Sequence, residues 1–252
     1  MNRARTLDRA PTAARDCPAD SPAPYQAPAT RGPSWEGCCQ TARDRGIAAA
    51  LRELYAPLGP GVIPCGPGGH AVVPSDLATT GWRIWLDGTI TERDPAAESV
   101  IEDCLLDGEG LAGLRHGPGG RAGPAAGGLD LLVGLGWLRL GLSERLLADC
   151  LAYLGRRASG DATLLDQQMI RGDLADAATE QAEIAATLAG ATPASLGRRA
   201  IHRIHRQITG VDRTLLRLLG ASGFLLAGPG RGAAVSELLA DVFIQPDPRD
   251  QR

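Results

Sequence analysis

The 252-residue sequence contains no lysine, so all 26 of its strongly basic residues are arginines. Abundant alanine, glycine and proline accompany this absence and indicate a high-GC coding bias, so the choice of arginine over lysine carries little information. The 29 acidic residues leave a net charge of −3, which excludes the basic excess typical of nucleic-acid-binding proteins. No apolar run reaches the roughly 20 residues that cross a bilayer, so we expect no membrane helix.

Several sequence signals of location and chemistry are also absent. Residues 1–20 lack the apolar core of a secretory signal, which makes cytoplasmic residence the default prediction. None of the six cysteines forms a Cys-x-x-Cys pair, so we expect reduced thiols and no zinc or redox site. The sequence also lacks a glycine elbow around a serine and the Glu-x-x-His pairs of a di-iron bundle, which excludes typical hydrolase and di-iron chemistry.

Three segments in the second half of the chain carry apolar residues at helical spacing. Steps of three and four place the residues of each segment along one side of a helix. The first stripe comprises Leu131, Leu135, Leu138, Leu142, Leu146 and Cys150. The second comprises Ile170, Leu174, Ala177, Gln181, Ile184 and Leu188, and the third comprises Ile201, Ile204, Ile208, Val211, Leu215 and Leu218. Because long helices bury such stripes against one another, the sequence predicts a mainly α fold.

The composition divides the chain into four regions. Residues 1–45 hold few large apolar side chains and are predicted to form a disordered tail, and residues 246–252 form a second tail. Residues 46–128 are dense in glycine and proline, with apolar runs of strand length, which predicts a small, reduced β region after one short helix at 44–55. Residues 129–245 are predicted to form an up-and-down bundle of four helices at 129–156, 164–188, 193–220 and 233–243.

Short motifs at the helix junctions resemble a known family. Tyr153, Arg157, Gln168 and Leu174-Ala175-Asp176 match the pattern Tyr-x-x-x-Arg-x-x-Phe-Gly, Gln, Leu-Ala-Asp of the carboxyl-terminal domain of the acyl-CoA dehydrogenases. The segment Leu219-Gly220-Ala221-Ser222-Gly223-Phe224 is similar to that family's Leu-Gly-Gly-x-Gly-Phe/Tyr turn. Over residues 129–245 the chain therefore resembles a truncated and divergent member of this family.

The resemblance implies that the helix junctions bind FAD and that bundles assemble into homo- or hetero-oligomers. In the family the junctions hold the adenine and diphosphate of a cofactor that is bound mainly by a neighbouring subunit. Arg217 replaces a family glutamine and could serve as a further phosphate contact, whereas Asp161 puts a carboxylate where the diphosphate would approach. The residues that fall on the family's own contacts are Arg157, Gln168, Gly220 and Gly223.

The resemblance also implies oxidation of a CH–CH bond in an acyl-thioester. In that reaction a carboxylate takes the α proton while the flavin accepts the β hydride. The two family positions for this glutamate fall on Ile244 and on Leu131 or Leu132, none of which can take a proton. Asp130 and Asp241 are the nearest carboxylates and become the candidate bases. Two functions remain open: an FAD-dependent dehydrogenase that uses a partner subunit, and a catalytically inactive relative that assembles with other subunits through its bundle.

The third predicted helix carries two histidines three residues apart. We interpret His202 and His205 as part of a solvent-facing basic surface, because arginines flank them on the same helix. An acidic surface on the second helix is predicted to meet the basic one across a helix or subunit contact. The basic surface also includes Arg198, Arg199, Arg203 and Arg206, and the acidic surface comprises Asp173, Asp176, Glu180 and Glu183.

Overall fold

Helices make up most of the chain that the structure describes. The computed structural model describes residues 35–86, 88–117, 128–190, 192–225 and 228–244. Its helices are α1 (Trp35–Arg45), α2 (Ile47–Tyr55), α3 (Ser75–Thr80), α4 (Cys104–Gly108), α5 (Gly128–Arg156), α6 (Gln168–Ala189), α7 (Pro193–Leu219) and α8 (Gly230–Phe243). Its strands are β1 (Val62–Cys65), β2 (His70–Pro74), β3 (Arg83–Leu86), β4 (Thr89–Glu92), β5 (Glu98–Ile101), β6 (Leu111–His116), β7 (Ala158–Ser159) and β8 (Ala162–Thr163). Within these residues no helix is long and apolar enough to cross a membrane.

The predicted bundle is present and consists of α5, α6, α7 and α8. The three apolar stripes face its interior: every member is buried except Ile170 and Leu218, which are half-buried. α5 lies at its centre, because every residue from Leu131 to Ser143 is buried. The mainly α fold class is therefore confirmed, and its physical basis is the helical spacing of apolar side chains.

The amino-terminal boundary of the folded part differs from the prediction. The predicted tail extends to residue 45, but residues 35–45 form α1, and four of its side chains, Cys38, Cys39, Thr41 and Ala42, are buried. α1 packs against α5 where α5 carries a glycine: a Cβ added at Gly141 would lie only 2.1 Å from the carbonyl oxygen of Cys39. Small side chains against a glycine thus give close packing where large apolar residues are scarce. The remaining tail residues, 1–34 and 246–252, lie outside the described part.

The predicted β region contains two three-stranded sheets. In the first, β1 pairs in parallel with β3, and β3 pairs antiparallel with β4. In the second, β6 lies between β2 and β5 and is antiparallel to both. β1 is buried along its whole length, and Trp85 of β3 is buried whereas Trp82 is 50% exposed. The sheets therefore share the interior with the bundle, and their buried residues belong to the same apolar core as the first half of α5.

The helix ends of the bundle lie close to the predicted positions. The hydroxyl of Thr192 accepts a hydrogen bond from the amide of Ser195, which confirms Thr192 as the cap of α7. α6 begins at Gln168 instead of residue 164, because Leu164–Asp166 forms a 3₁₀ turn. A second 3₁₀ turn at Gly220–Phe224 follows α7. We call the end at which α5 ends, α6 begins and α7 ends the junction end, and a separate apolar cluster around Leu154, Leu174 and Leu219 holds it together.

Candidate functional site

Arg157, the predicted phosphate contact, lies at the junction end directly after the last residue of α5. Its side chain is exposed, and its guanidinium carbon lies 5.4 Å from the centre of the Tyr153 ring. Its carbonyl oxygen accepts a hydrogen bond of 2.8 Å from the amide of Leu164. No carboxylate among the described residues forms an ion pair with Arg157. The junction end therefore presents a planar cation to solvent on a fixed backbone.

The turn at Gly220–Phe224 lies next to Tyr153. The hydroxyl of Ser222 donates a hydrogen bond of 2.8 Å to the hydroxyl oxygen of Tyr153, which joins this turn to the end of α5. Gly220 has a φ of +56°, and an added Cβ there would meet no atom within 4 Å, so this glycine is required by its backbone conformation. Gly223 is buried, and a Cβ added at Gly230 would lie 1.6 Å from its carbonyl oxygen. The close backbone approach at Gly223 is therefore made by α8.

The other predicted cofactor residues also lie at the junction end. Gln168 is the first residue of α6 and is exposed. Arg217 is exposed on the last turn of α7, where its Nη2 donates a hydrogen bond of 2.9 Å to a threonine hydroxyl on its own helix. Asp161 is exposed in the hairpin of β7 and β8 between Arg157 and Gln168. The fold thus brings the predicted contacts and the opposing carboxylate to one end of the bundle.

A groove of about 420 Å³ beside the junction end contains arginines that the sequence analysis missed. Two of them, Arg145 and Arg156, lie on α5, and the third, Arg231, lies in the first turn of α8. Arg231 Nε donates a hydrogen bond of 2.6 Å to Glu109 Oε1, which reduces the positive charge of the groove. The helical spacing in steps of four, three and four could have identified part of its α5 wall, namely Arg145, Asp149, Ala152 and Arg156.

Neither family position for the base carries a proton acceptor. Leu131 and Leu132 are buried near the start of α5, and Ile244 is half-buried just after α8. Asp130 is exposed at the start of α5, where partial burial raises the pKa of its carboxyl. Asp241 is exposed on α8 and lines, with Ile244, a groove of about 590 Å³ between α7 and α8. Asp130 does not line that groove, so the two candidate bases are not brought together there.

A polar network that the sequence analysis did not predict lies inside the bundle. Arg139 of α5 is fully buried. Its Nε donates a hydrogen bond of 2.9 Å to Ser236 Oγ, and its Nη2 donates one of 2.7 Å to Thr209 Oγ1. Burial lowers the pKa of Arg139 to about 10, while nearby carboxylates oppose this effect. The guanidinium therefore stays charged at neutral pH inside an otherwise apolar core.

His205 corrects the interpretation of the basic surface, because it is only 2% exposed. Arg139 Nη1 lies 3.0 Å from its Nδ1, and a guanidinium only donates, so Nδ1 accepts. Nε2 consequently carries the proton and donates to the carbonyl oxygen of Leu132 at 3.0 Å. Burial, with the charge of Arg139, lowers the pKa of His205 to about 3, so the ring is neutral. A spacing of four residues from buried Ile201 could have indicated this position.

A second branch of the network ends at Asp212 of α7, which is 5% exposed. Ser143 accepts a hydrogen bond of 2.9 Å from Gln181 Nε2, and its hydroxyl bonds to the carboxyl of Asp212. Burial raises the pKa of Asp212 to about 6, although Ser143 and Arg139 lower it. Asp212 Oδ1 is buried and has no hydrogen-bond partner among the described residues. It is a buried acceptor oxygen without a donor in this part of the chain.

Comparisons with known proteins address the fold. Neither a protein-family model nor a curated protein matches the chain. A variant of the Tcur3481-Tcur3483 steroid acyl-CoA dehydrogenase superimposes with a TM-score of 0.50 and 18% identity, over 73% of this chain and 58% of that one. A glutaryl-CoA dehydrogenase from Mycobacterium smegmatis in complex with FADH2 superimposes with a TM-score of 0.48 and 18% identity, over 71% of this chain and 56% of that one. An acyl-CoA dehydrogenase from Geobacillus kaustophilus superimposes with a TM-score of 0.43 and 18% identity, over 60% of this chain and 47% of that one.

The first of these similarities shows that the chain has an acyl-CoA dehydrogenase-like fold, as the motifs at the helix junctions predicted. The chain spans less than two thirds of the length of each of these three proteins. At 18% identity the similarity concerns the course of the backbone. Cofactor, substrate and partners must therefore be argued from the residues of this chain.

Proposed function

We propose that the chain is an acyl-CoA dehydrogenase-like flavoprotein subunit whose junction end binds the diphosphate of FAD. The observation that supports this is the exposed guanidinium of Arg157, which forms no ion pair with a described carboxylate. The hydrogen bond between Ser222 and Tyr153 holds the glycine turn next to it. A planar guanidinium can donate two parallel hydrogen bonds to phosphate oxygens, which makes it the preferred side chain for a diphosphate.

The charges around Arg157 fit an anionic group. Arg145 and Arg156 line the adjoining groove, and Asp149 is the only acidic residue of α5 that lines it. Asp161 opposes the proposal, because an exposed carboxylate weakens the attraction for phosphate at this end. In the proposed complex FAD would supply a flavin that accepts hydride, and the residues of this chain would hold its diphosphate.

We further propose that the subunit takes part in the oxidation of an acyl-thioester and needs a partner subunit for it. The family positions of the base are occupied by leucine or isoleucine, and Leu131 and Leu132 are buried. Proton removal from the α carbon needs a carboxylate within hydrogen-bond reach of that carbon. A partner could supply this carboxylate, and Asp130 and Asp241 are the candidates within the chain itself.

Titration of the purified protein with FAD tests the cofactor proposal. Flavin bound to protein is followed by its absorbance near roughly 450 nm. Arg157→Ala is expected to weaken FAD binding by about tenfold or more, because hydrogen bonds to a charged phosphate are lost. Arg203→Ala is the matched control, since Arg203 is exposed on the first half of α7, away from the junction end. A protein that takes up no FAD would overturn the proposal.

Substitution of the candidate bases tests the reaction. If the protein with its flavin reduces an electron acceptor in the presence of short acyl-CoAs, Asp130→Asn and Asp241→Asn should be compared in that assay. A base that removes the α proton cannot be replaced by a neutral amide, so its loss should abolish turnover. Full activity in both variants would exclude both residues and leave a partner carboxylate as the base.

A catalytically inactive assembly subunit is the second candidate function. It is favoured by the apolar base positions and by the acidic surface of α6, whose carboxylates form no ion pair with a described residue. Such a surface is available to a basic surface on another subunit. Sedimentation at low and high salt tests this: an oligomer that binds no FAD and dissociates at high salt would favour it over the flavoprotein.

A further inference from the structure

The groove of about 420 Å³ beside the junction end, which we call the arginine groove, combines charged side chains with an apolar lining. Arg157, the proposed diphosphate contact, does not line it. Its apolar lining includes Leu146, Leu219 and Ala233 of the cluster that holds the junction end together. Its charged lining residues are Glu109, Arg145, Asp149, Arg156 and Arg231. A groove of this size with a few polar groups beside apolar side chains is typical of a small-molecule site.

The charges of the arginine groove leave one arginine unopposed. Arg231 is already paired, because its Nε lies 2.6 Å from Glu109 Oε1. Arg145 forms no ion pair with a described carboxylate, but Asp149 lies four residues later, one turn along α5, and offsets its charge. Arg156 is exposed, forms no such ion pair either, and lies roughly 10 Å beyond Asp149 along the helix axis. The groove therefore has a single excess positive charge, which lies at Arg156.

A pair of hydroxyl groups lies next to Arg156. Tyr153 precedes Arg156 by three residues, which places both side chains on the same side of α5, and both line the groove. The hydroxyl of Ser222, which also lines the groove, donates a hydrogen bond of 2.8 Å to the hydroxyl oxygen of Tyr153. Both residues are half-buried, and no described residue accepts the hydrogen of the Tyr153 hydroxyl. This hydrogen is available to a ligand beside the guanidinium.

The first turn of α8 adds to the attraction for an anion. Arg231, Gly232 and Ala233 of this turn line the groove. Within the described residues no side chain caps the turn, and it contains no acidic residue. The amide groups of a first helical turn carry a partial positive charge. The turn therefore strengthens a site that the side chains of Arg156 and Tyr153 define.

We propose that the arginine groove binds a small carboxylic acid in its ionised form, with the carboxylate at Arg156 and Tyr153 and the apolar body on the leucine and alanine side chains. A planar guanidinium donates two parallel hydrogen bonds to a carboxylate, and the Tyr153 hydroxyl donates a third. One negative charge matches the single excess positive charge of the groove. A phosphate monoester would bring a second charge that only repels Asp149. The site holds no part of the flavin, so it goes beyond the proposed function and does not depend on it.

Titration of the full chain with benzoate and with benzamide at neutral pH, followed by NMR, tests the proposal. Benzamide has the same ring and nearly the same shape as benzoate but carries no charge. We expect benzoate to bind with a dissociation constant of about 1 mM, as for a ligand of this size in an open groove. Benzamide should bind at least about tenfold more weakly, because it forms no charge-assisted hydrogen bonds with the guanidinium. The titration uses no flavin, so its outcome is separate from that of the FAD titration.

Three variants separate the proposed site from unspecific binding. Arg156→Gln should weaken benzoate binding by about tenfold, to the level of benzamide. Tyr153→Phe should weaken it by about threefold to tenfold, because it removes one hydrogen bond and keeps the charge. Arg203→Gln is the matched control and should bind benzoate like the wild type, since Arg203 is an exposed arginine of α7 that does not line the groove. Circular dichroism verifies that each variant is folded.

The result that supports the proposal is a preference for benzoate over benzamide that disappears in Arg156→Gln and persists in Arg203→Gln. Equal binding of benzoate and benzamide by the wild type would overturn it, because the carboxylate would then play no part. Benzoate binding that Arg156→Gln leaves unchanged would overturn it as well. A loss as large in Arg203→Gln would do the same, since the effect would then be that of net charge alone. So would the absence of benzoate binding to the wild type at about 10 mM, well above the expected dissociation constant.

Discussion

Replacement of Asp212 by asparagine is expected to stabilise the folded protein at pH 8. Burial raises the pKa of this carboxyl from 3.8 to about 6, so the folded state holds the proton more tightly than the unfolded chain does. The stabilisation that comes from this tighter proton binding is therefore fully present below about pH 3.8 and is lost as the pH rises through 6. Once the group is ionised in both states, the buried carboxylate costs the folded state about 3 kcal/mol.

Asparagine removes this cost and keeps an acceptor oxygen for the hydroxyl of Ser143. Its amide group, however, would take the place of Oδ1, which is buried without a partner among the described residues, and would lack an acceptor, at a cost of about 1 kcal/mol. We therefore expect a net gain of about 2 kcal/mol in the free energy of unfolding at pH 8. The gain should vanish or change sign at pH 4, where the carboxyl of the wild type is protonated in the folded state.

Urea unfolding followed by circular dichroism at a series of pH values measures this difference between variant and wild type. Asp173→Asn serves as the control, because an exposed carboxylate should change the free energy of unfolding by less than about 0.5 kcal/mol. A variant that is less stable than the wild type at pH 8 would refute the reasoning, since Asp212 would then be stabilised by Arg139 more than burial destabilises it. The same stability difference at pH 4 and pH 8 would refute it too.

Further predictions concern packing and the buried histidine. Gly141→Ala should lower the free energy of unfolding by about 2–3 kcal/mol, because its Cβ would lie 2.1 Å from the carbonyl oxygen of Cys39. Gly136→Ala is the matched control: its Cβ would make an ordinary contact of 3.6 Å, so a gain of up to about 1 kcal/mol is expected in thermal or urea unfolding. The pKa of His205 is lowered to about 3, so stability is lost as the pH falls below 6.5, by roughly 1.4 kcal/mol per pH unit. His205→Gln should flatten this dependence in urea unfolding between pH 6.5 and 5, and cost about 1–2 kcal/mol at pH 7.5 because Arg139 loses an acceptor.

The bundle could be predicted because its main signal is local. A helix repeats every 3.6 residues, so stripes such as the one from Leu131 to Cys150 indicate both the helix and its buried side. The caps are local as well, which is why α7 begins after Thr192 as expected. The start of α6 differs because three residues of the predicted helix, Leu164–Asp166, form a 3₁₀ turn instead. This turn is capped by Thr163, whose amide and hydroxyl donate hydrogen bonds to Asp166.

The packing of α1 could not be predicted, because it depends on a contact between distant parts of the chain. Residues 35–45 have few large apolar side chains, and composition alone indicates a tail. Their burial depends on Gly141, about 100 residues later, where the missing side chain lets the backbone of Cys39 approach α5. The glycines of α5 do indicate a close neighbour, but nothing in their spacing shows which segment provides it.

The buried polar residues were missed for a related reason. His205 and Asp212 lie next to apolar stripe positions, and sequence alone ranks such residues as solvent-facing. Whether a polar side chain can be buried depends on its partners, and Arg139 reaches His205 across 66 positions of the chain. The periodic pattern shows which side of a helix is apolar and buried. The hydrogen-bond network that allows a polar side chain to be buried is visible only in three dimensions.

Arg231 lines the arginine groove beside Arg157 and also a cleft whose wall contains Asp212. Its Nε donates a hydrogen bond of 2.6 Å to Glu109 Oε1, so its charge is already paired. Arg231→Ala should therefore weaken FAD binding by less than about tenfold, because a partly exposed and paired guanidinium contributes little to an anion site. Arg157→Ala should weaken it more, since the exposed guanidinium of Arg157 forms no ion pair with a described carboxylate. Parallel titrations of the two variants with FAD measure this difference. A larger loss of FAD binding in Arg231→Ala than in Arg157→Ala would mean that the diphosphate lies in the groove and not at Arg157.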